Sequence, residues 1–208
     1  MTSAVHASSA VDQTDVPLVV RRAVLLGLLE AALVFIFSLA SRLLDGMPEL
    51  AVRSLIVLVG LAATSLLPGI WTRARTIEGI AGAAGIGLAA TGVFMLVDAL
   101  LLQRLGTYTN RWLAIGGGSN WWYHPVWWMT GTFIAWMGAW SLAHQAEKGG
   151  ANPVVAFITA LVLTAIAGAV GVLIGVPHAG WTLGTFAVAY LPGIALTALV
   201  TGLGGKRT

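Results

Sequence analysis

The sequence predicts an all-α fold, a polytopic integral membrane bundle of about six transmembrane helices. Of the 208 residues, 58% are hydrophobic and only 9% are charged, and the mean hydropathy is +0.88. Soluble domains carry about 25% charged residues, so a chain this poor in charge could not cover a surface that faces water. Six apolar runs follow one another along the chain, each close to the ~20 residues that a helix needs to cross a bilayer.

The chain is expected to begin with a mobile tail over residues 1–22, because its first part is small and polar and has no helical period. Arg21 and Arg22 precede the first apolar run, as they would in a twin-arginine export signal. The run AVLLGLLEAALVFIFSLASRLL is long for a signal peptide, and no small-residue cleavage site follows it. We therefore interpret it as the first transmembrane helix.

Residues 23–205 are predicted to form one six-helix transmembrane domain. Its apolar segments lie at residues 23–44, 52–71, 78–102, 125–145, 153–175 and 181–203. Two segments begin at a proline that follows a side chain able to cap the helix, in His124-Pro125 and Asn152-Pro153.

The distribution of Lys and Arg predicts the orientation. One side of the predicted bundle holds Arg21, Arg22, Arg73, Arg75, Lys148, Lys206 and Arg207, and the other holds Arg42, Arg53, Arg104 and Arg111. Cytoplasmic loops carry the excess of basic residues. Both termini are therefore predicted to be cytoplasmic, and the long loop at 103–124 extracytoplasmic. The expected location is the cell membrane, which the chain would cross several times.

Small residues recur inside the apolar segments and predict close helix packing. The third segment contains GIAGAAGIGLAATG, and the fifth contains Gly171 and Gly175. Such spacings let helix backbones approach each other where lipid supplies no hydrophobic drive. Besides the lipid bilayer, the expected partners are other membrane-protein subunits or further copies of this chain.

Several function classes have no support in the sequence. The basic residues stand singly or in pairs at the ends of apolar runs, so the net charge of +3 does not indicate a nucleic-acid partner. The chain has no cysteine, which excludes disulfides and thiolate metal sites. It contains no HExxH, no GxSxG and no phosphate-binding glycine loop with a lysine. Catalysis is therefore not expected.

The stretch GGGSNWWYHPVWWM, residues 116–129, contains four of the nine tryptophans. Tryptophans at the boundary between water and lipid form anchoring belts, which would account for the stretch itself. Trp128, Thr132, Trp136 and Trp140 recur every four residues and so share one helix face that continues below the boundary. Two interpretations of this face stay open. It packs against another helix, or it forms one wall of a pocket for a quinone, pigment, sterol-like lipid or haem.

Charged groups within membrane helices are costly, so each is a functional candidate. Asp98 lies near the outer end of the third segment, and Glu30 lies within the first. An ion pair between Asp98 and Arg53 is the structural interpretation. A polar transport path through Glu30 and Asp98 is the functional one.

Two histidines are predicted to lie on the same side of the membrane. Paired imidazoles can ligate haem iron or a transition metal. Neither His124 nor His178 has a second potential ligand at close spacing, so capping and interfacial hydrogen bonds are the favoured roles and no metal site is predicted. The pattern identifies no cofactor.

The sequence thus predicts a non-catalytic membrane protein, an accessory or assembly subunit of a larger complex that holds an apolar or aromatic ligand at its extracytoplasmic side. The residues predicted to bind this ligand are Trp128, Thr132, Trp136, Asp98 and His124. Two alternatives stay open, namely a small transporter or channel that uses Glu30 and Asp98, and a haem- or quinone-binding membrane subunit.

Overall fold

The computed structural model describes residues 12–108 and 124–203, and these residues form six long helices and no strand. The helices are α1 (Val16–Leu43), α2 (Gly46–Thr72), α3 (Ile77–Leu102), α4 (His124–Glu147), α5 (Pro153–Leu173) and α6 (Leu183–Gly202). The all-α class is confirmed for the described residues, and their six helices overlap the six predicted apolar segments. The tryptophans at positions 121 and 122, the glycines at 116–118 and most of the predicted long loop lie outside the described residues.

Five of the six helices are long and apolar enough to cross a membrane, and α4 is the exception. It has 24 residues, so its length is sufficient. Its four tryptophans, two histidines and a glutamine lower its mean hydropathy, because hydropathy scales give these side chains low values. The described chain is therefore compatible with a multi-pass membrane protein.

Residues 16–22, predicted to belong to a mobile tail, form the first turns of α1. The Asp15 carboxylate caps this helix by accepting a hydrogen bond from the Leu18 backbone N–H at 3.2 Å. Pro17 lies in the first turn, where its missing N–H costs nothing. The DVP sequence thus carries a helix-start signal, and it lies upstream of the apolar run from which the helix was predicted.

Successive helices run in opposite directions, so the connections between them fall at two ends of the bundle. End A holds Asp12, the α2–α3 link, the α4–α5 link and Leu203. End B holds the other links. The Gln13 backbone N–H donates to the Thr72 carbonyl at 2.8 Å, and Lys148 Nζ donates to the Leu203 carbonyl at 2.7 Å. The first and last described residues therefore lie at the same end.

Helix α4 occupies the centre of the bundle, where it packs against α2, α3 and α6, whereas α5 packs mainly on α6. Glycines make these contacts close. A Cβ atom added to Gly69 of α2 would lie 2.8 Å from the Ala139 Cα of α4, and one added to Gly138 would collide with the Ser65 carbonyl. This is the close packing that the small residues predict.

The Gly171 and Gly175 spacing does not bring two helices together in the described chain. A Cβ at Gly171 would meet only the Val176 side chain, at 3.9 Å. Gly175 lies beyond the end of α5 with a φ of +74°, a left-handed conformation that favours glycine. Its role is to end the helix.

Candidate functional site

A groove walled by tryptophan opens at end A, between α4 and the link from α2 to α3. Its volume is about 790 Å³. The wall from α4 consists of Trp136, Trp140, Ala143, His144 and Glu147, and the facing wall consists of Arg75, Thr76, Ile77, Glu78 and Ile80. Aromatic side chains thus line one wall, and both walls carry charged side chains.

Trp136 and Trp140 form a stacked pair on the outer face of α4. Their ring centroids lie 5.9 Å apart and their planes differ by 23°. The spacing of four residues places both on one side of the helix. Trp136 is 42% exposed and Trp140 is 37% exposed, so the stack is not part of the protein core. It offers a flat apolar surface to whatever fills the groove.

His144 holds one of the two indoles in place. Trp140 Nε1–H donates a hydrogen bond to His144 Nε2 at 2.8 Å. Because Nε2 accepts, a neutral His144 carries its proton on Nδ1. That atom is buried and has no partner among the described residues. A Cβ at Gly202 would lie 2.9 Å from the His144 ring, so α6 leaves room for the imidazole because it has glycine there.

The facing wall is fixed by Asp12, which lies before α1. Its carboxylate accepts hydrogen bonds from the backbone N–H groups of Arg75, Thr76 and Gly79 at 3.0–3.2 Å and from the Thr76 hydroxyl at 2.5 Å. These bonds satisfy otherwise unpaired donors at the start of α3. Sequence reasoning missed Asp12, because its partners are more than 60 residues away and no local pattern links them.

The residues predicted to form one binding site do not all meet. Trp136 lines the groove at end A. Trp128 lies eight residues closer to end B, about 12 Å along the helix, and is not among the groove residues. The Thr132 hydroxyl donates to the Trp128 carbonyl at 2.7 Å and so is engaged by its own helix. α4 begins at His124, whose side chain lies outside the described part.

Asp98, also predicted to bind the ligand, lies at end B. It is 5% exposed and begins a π-helical turn, Asp98–Leu102, at the end of α3. Its carboxylate accepts hydrogen bonds from the Gln103 side-chain amide at 2.8 Å and from the Tyr108 hydroxyl. Burial, and then Asp98, raises the pKa of the Tyr108 hydroxyl above its ordinary value. Asp98 is thus hydrogen-bonded to two residues that follow it closely in the sequence, Gln103 and Tyr108.

The ion pair between Asp98 and Arg53 that the sequence suggested is not formed. Arg53 pairs instead with Glu49, one turn away on α2, at 3.0 Å. The segment after α3 is tied to α1 by hydrogen bonds to its backbone carbonyls, since the Ser38 hydroxyl donates to the Thr107 carbonyl at 2.5 Å and the Arg42 guanidinium donates to the Gly106 carbonyl. Asp98 therefore helps to hold that segment in place.

The histidine of the α5–α6 link, His178, is exposed and has a φ of +63°. Within residues 12–108 and 124–203, no group of three or more His, Asp or Glu side chains is placed to hold a metal ion.

Comparison of the chain with protein-family models, with curated proteins and with solved structures finds no match. The function proposed below therefore rests on the geometry of this chain alone.

Proposed function

We propose that this protein is a non-catalytic, multi-pass component of the cell membrane that crosses the bilayer six times, with both termini in the cytoplasm. Five helices have the length and hydropathy for crossing, and α4 packs against three of them. A helix that packs along three membrane-crossing neighbours would cross the membrane with them despite its lower hydropathy. The excess of basic residues at end A supports a cytoplasmic end A.

Its proposed role is to hold an amphipathic ligand in the groove at end A. The observation that carries this proposal is the exposed Trp136–Trp140 stack. The stack lies outside the core, so packing between helices does not require tryptophan at these positions. A flat apolar surface beside charged side chains fits a molecule with an apolar ring or chain and a polar head group.

The size and chemistry of the groove match that class of ligand. Binding pockets for small molecules have volumes of about 300–1,000 Å³ and combine apolar walls with a few polar groups. Arg75, Glu78 and Glu147 lie at the groove and can meet a polar head group. Membrane quinones and lipids both combine an apolar ring or chain with a polar head group. The proposed site lies at end A, which we propose to be cytoplasmic, whereas the sequence predicted a site on the extracytoplasmic side.

An accessory role within a larger complex fits the position of α5. This helix packs mainly on α6, and Val155, Ile158, Val162 and Ile166 are exposed along its length. That apolar face is open to lipid or to a second membrane protein. We propose that the protein works with partner subunits.

The ligand proposal is tested by mass analysis and absorption spectroscopy of the gently purified protein. We expect an amphipathic molecule to accompany the wild type and to be lost from Trp136→Leu. The matched control is Trp181→Leu, because Trp181 is 77% exposed and follows α5 at the opposite end of the bundle. Equal retention by both variants would refute the groove as the binding site.

The orientation has a separate test, for which the absence of native cysteine is convenient. Single cysteines are introduced at Ala151, exposed at end A, and at Val176, exposed at end B. An impermeant maleimide should label Val176→Cys in intact cells and Ala151→Cys only after permeabilisation. The reverse pattern would place the termini outside.

A further inference from the structure

Glu30 lies at the middle of α1, 14 residues after Val16 and 13 before Leu43. At 1.5 Å per residue, this is about 20 Å from either end of the helix. Its Oε1 accepts a hydrogen bond from the Thr64 hydroxyl of α2 at 3.2 Å. The carboxyl group therefore lies at the interface of α1 and α2, at the depth where the bilayer is driest.

No positive charge lies at this depth on α1 or on the two helices that pack against it, α2 and α3. Their charged residues lie toward the helix ends: Arg21, Arg22 and Arg42 on α1, Glu49 and Arg53 on α2, and Glu78 and Asp98 on α3. Arg73 follows the last residue of α2. Arg22 lies two turns from Glu30, and its guanidinium stacks on Trp71 with 5.1 Å to the ring centroid.

An ionised carboxylate with one hydroxyl donor and no cation is strongly disfavoured in hydrocarbon. A neutral carboxylic acid in the same place is tolerated, and it forms when the carboxylate takes a proton from water. We propose that Glu30 and Thr64 form a proton-binding site at the α1–α2 interface, at which the Glu30 carboxyl group reversibly binds one proton. The proton comes from water and returns to it, so the step needs no other reactant.

A metal ion does not fit this place. Mg²⁺ and Ca²⁺ take six or more oxygen ligands. Glu30 supplies two oxygen atoms, and the Thr64 hydroxyl already donates to one of them. The residues that the structure describes contain no cluster of three or more acidic or histidine side chains around Glu30 or elsewhere. The site therefore suits a proton rather than a cation that needs a shell of ligands.

The experiment uses dicyclohexylcarbodiimide, an apolar reagent that reacts with protonated carboxyl groups in membranes. The carboxyl oxygen adds to the central carbon of the reagent, the proton moves to nitrogen, and rearrangement leaves a stable acylurea with no leaving group. The purified full-length protein is treated over a series of pH values, and the adduct is located by peptide mass spectrometry. We expect an adduct on Glu30 at acidic and neutral pH that disappears as the pH rises.

Glu49 is the matched control. It is also a glutamate within a long apolar helix and is buried, but its carboxylate is paired with Arg53, so we expect no adduct on it. Glu30→Gln should fold as the wild type does and should lose the adduct. Infrared difference spectra between acidic and alkaline pH give a second measurement, since a protonated Glu30 should show a carboxylic C=O band that is missing from Glu30→Gln.

Two results would overturn the proposal. An adduct on Glu30 that does not change with pH would show a permanently neutral side chain. The absence of both the adduct and the Glu30-dependent infrared band at every pH would show that no proton binds there. A band without an adduct supports the site, because it shows proton binding that the reagent cannot reach. None of these results depends on a ligand in the tryptophan groove.

Discussion

The two faces of α4 differ in what they contact. One face carries Gly131, Ala135 and Gly138, which lie against the backbone of α3 and α2 so closely that a Cβ on either glycine would overlap a neighbour. The other face carries Trp136 and Trp140, both more than a third exposed. The same helix thus has glycine and alanine where it approaches α2 and α3 most closely, and tryptophan on a side that is partly exposed.

This difference separates residues that determine the fold from residues that are free to bind. On the small-residue face, added volume meets the Ser65 carbonyl of α2 or the buried Thr91 side chain of α3, so packing dictates the residue. On the tryptophan face, Trp136 and Trp140 are more than a third exposed, so packing does not dictate tryptophan there. The fold does not explain why these residues are tryptophan, whereas binding of a ligand in the groove at end A would explain it.

Gly138→Ala should give the largest effect. The new Cβ would overlap the Ser65 carbonyl of α2, and a helix backbone cannot turn aside as a flexible side chain can. Overpacking of this kind costs about 1–3 kcal/mol and occasionally more. We expect a lower midpoint of thermal unfolding in detergent and a lower yield of folded protein.

The control for this change is Gly92→Ala on α3, where an added Cβ meets no atom within 4 Å. Alanine is the better helix former by up to ~1 kcal/mol, so the control should be neutral or stabilising. If both variants unfold at the same temperature as the wild type, then α4 does not approach α2 as closely as described.

The apolar segments predicted the six helices, and the small residues within them predicted close packing. Neither pattern could predict which face of α4 is buried and which is exposed. In a soluble protein, the periodicity of apolar residues marks the buried side. In α4, apolar residues occur both on the buried side and on the exposed side, so periodicity does not distinguish the two. The repeat of Trp128, Trp136 and Trp140 revealed a shared face without revealing its surroundings.

The candidate site was predictable only in part, for a related reason. Trp136 was found because it lies on a regular helix. The groove itself depends on Asp12 holding the start of α3, a contact between segments far apart in sequence. The suggested ion pair of Asp98 and Arg53 was wrong because both side chains have partners close to them in sequence. The π-helical turn that places Asp98 beside Gln103 could not be predicted, because the hydropathy of the sequence does not distinguish it from α-helix.

Tyr190→Phe should have the next largest effect. Tyr190 of α6 is fully buried, and its hydroxyl donates to Ser65 Oγ on α2 at 2.9 Å. Ser65 in turn donates to the Leu61 carbonyl at 2.6 Å. Removing one buried hydrogen bond costs about 0.5–1.5 kcal/mol. The loss, measured as the free energy of unfolding in a denaturing detergent, should be smaller than that of Gly138→Ala.

A double-mutant cycle tests whether this bond explains the loss. Ser65→Ala removes the acceptor, so Tyr190→Phe should cost much less in that background than in the wild type. Fully additive losses would mean that the two hydroxyl groups act independently, and that the small-residue side of the bundle is held by packing alone.

Trp140→Phe should have a small effect on stability. It keeps an aromatic ring beside Trp136 but removes the N–H that His144 Nε2 accepts. Because the pair lies at an open groove, water can replace the donor, and we expect a loss near the lower limit of about 0.5 kcal/mol. Thermal unfolding measures it, and Trp181→Phe at the other end of the bundle is the control. A loss as large as that of Gly138→Ala would show that the tryptophan face also supports the fold.

Trp136→Leu should have the smallest effect on stability. Its side chain is 42% exposed and lines the groove at end A, and the described chain shows no hydrogen bond to its indole. Surface substitutions of this kind change stability by about 0.5 kcal/mol or less. We therefore expect the thermal midpoint of the ligand-free protein to match the wild type. Loss of a copurified ligand from a variant that melts normally would then reflect binding, whereas a large fall in the midpoint would show that Trp136 belongs to the structural face of α4 and would remove the distinction between its two sides.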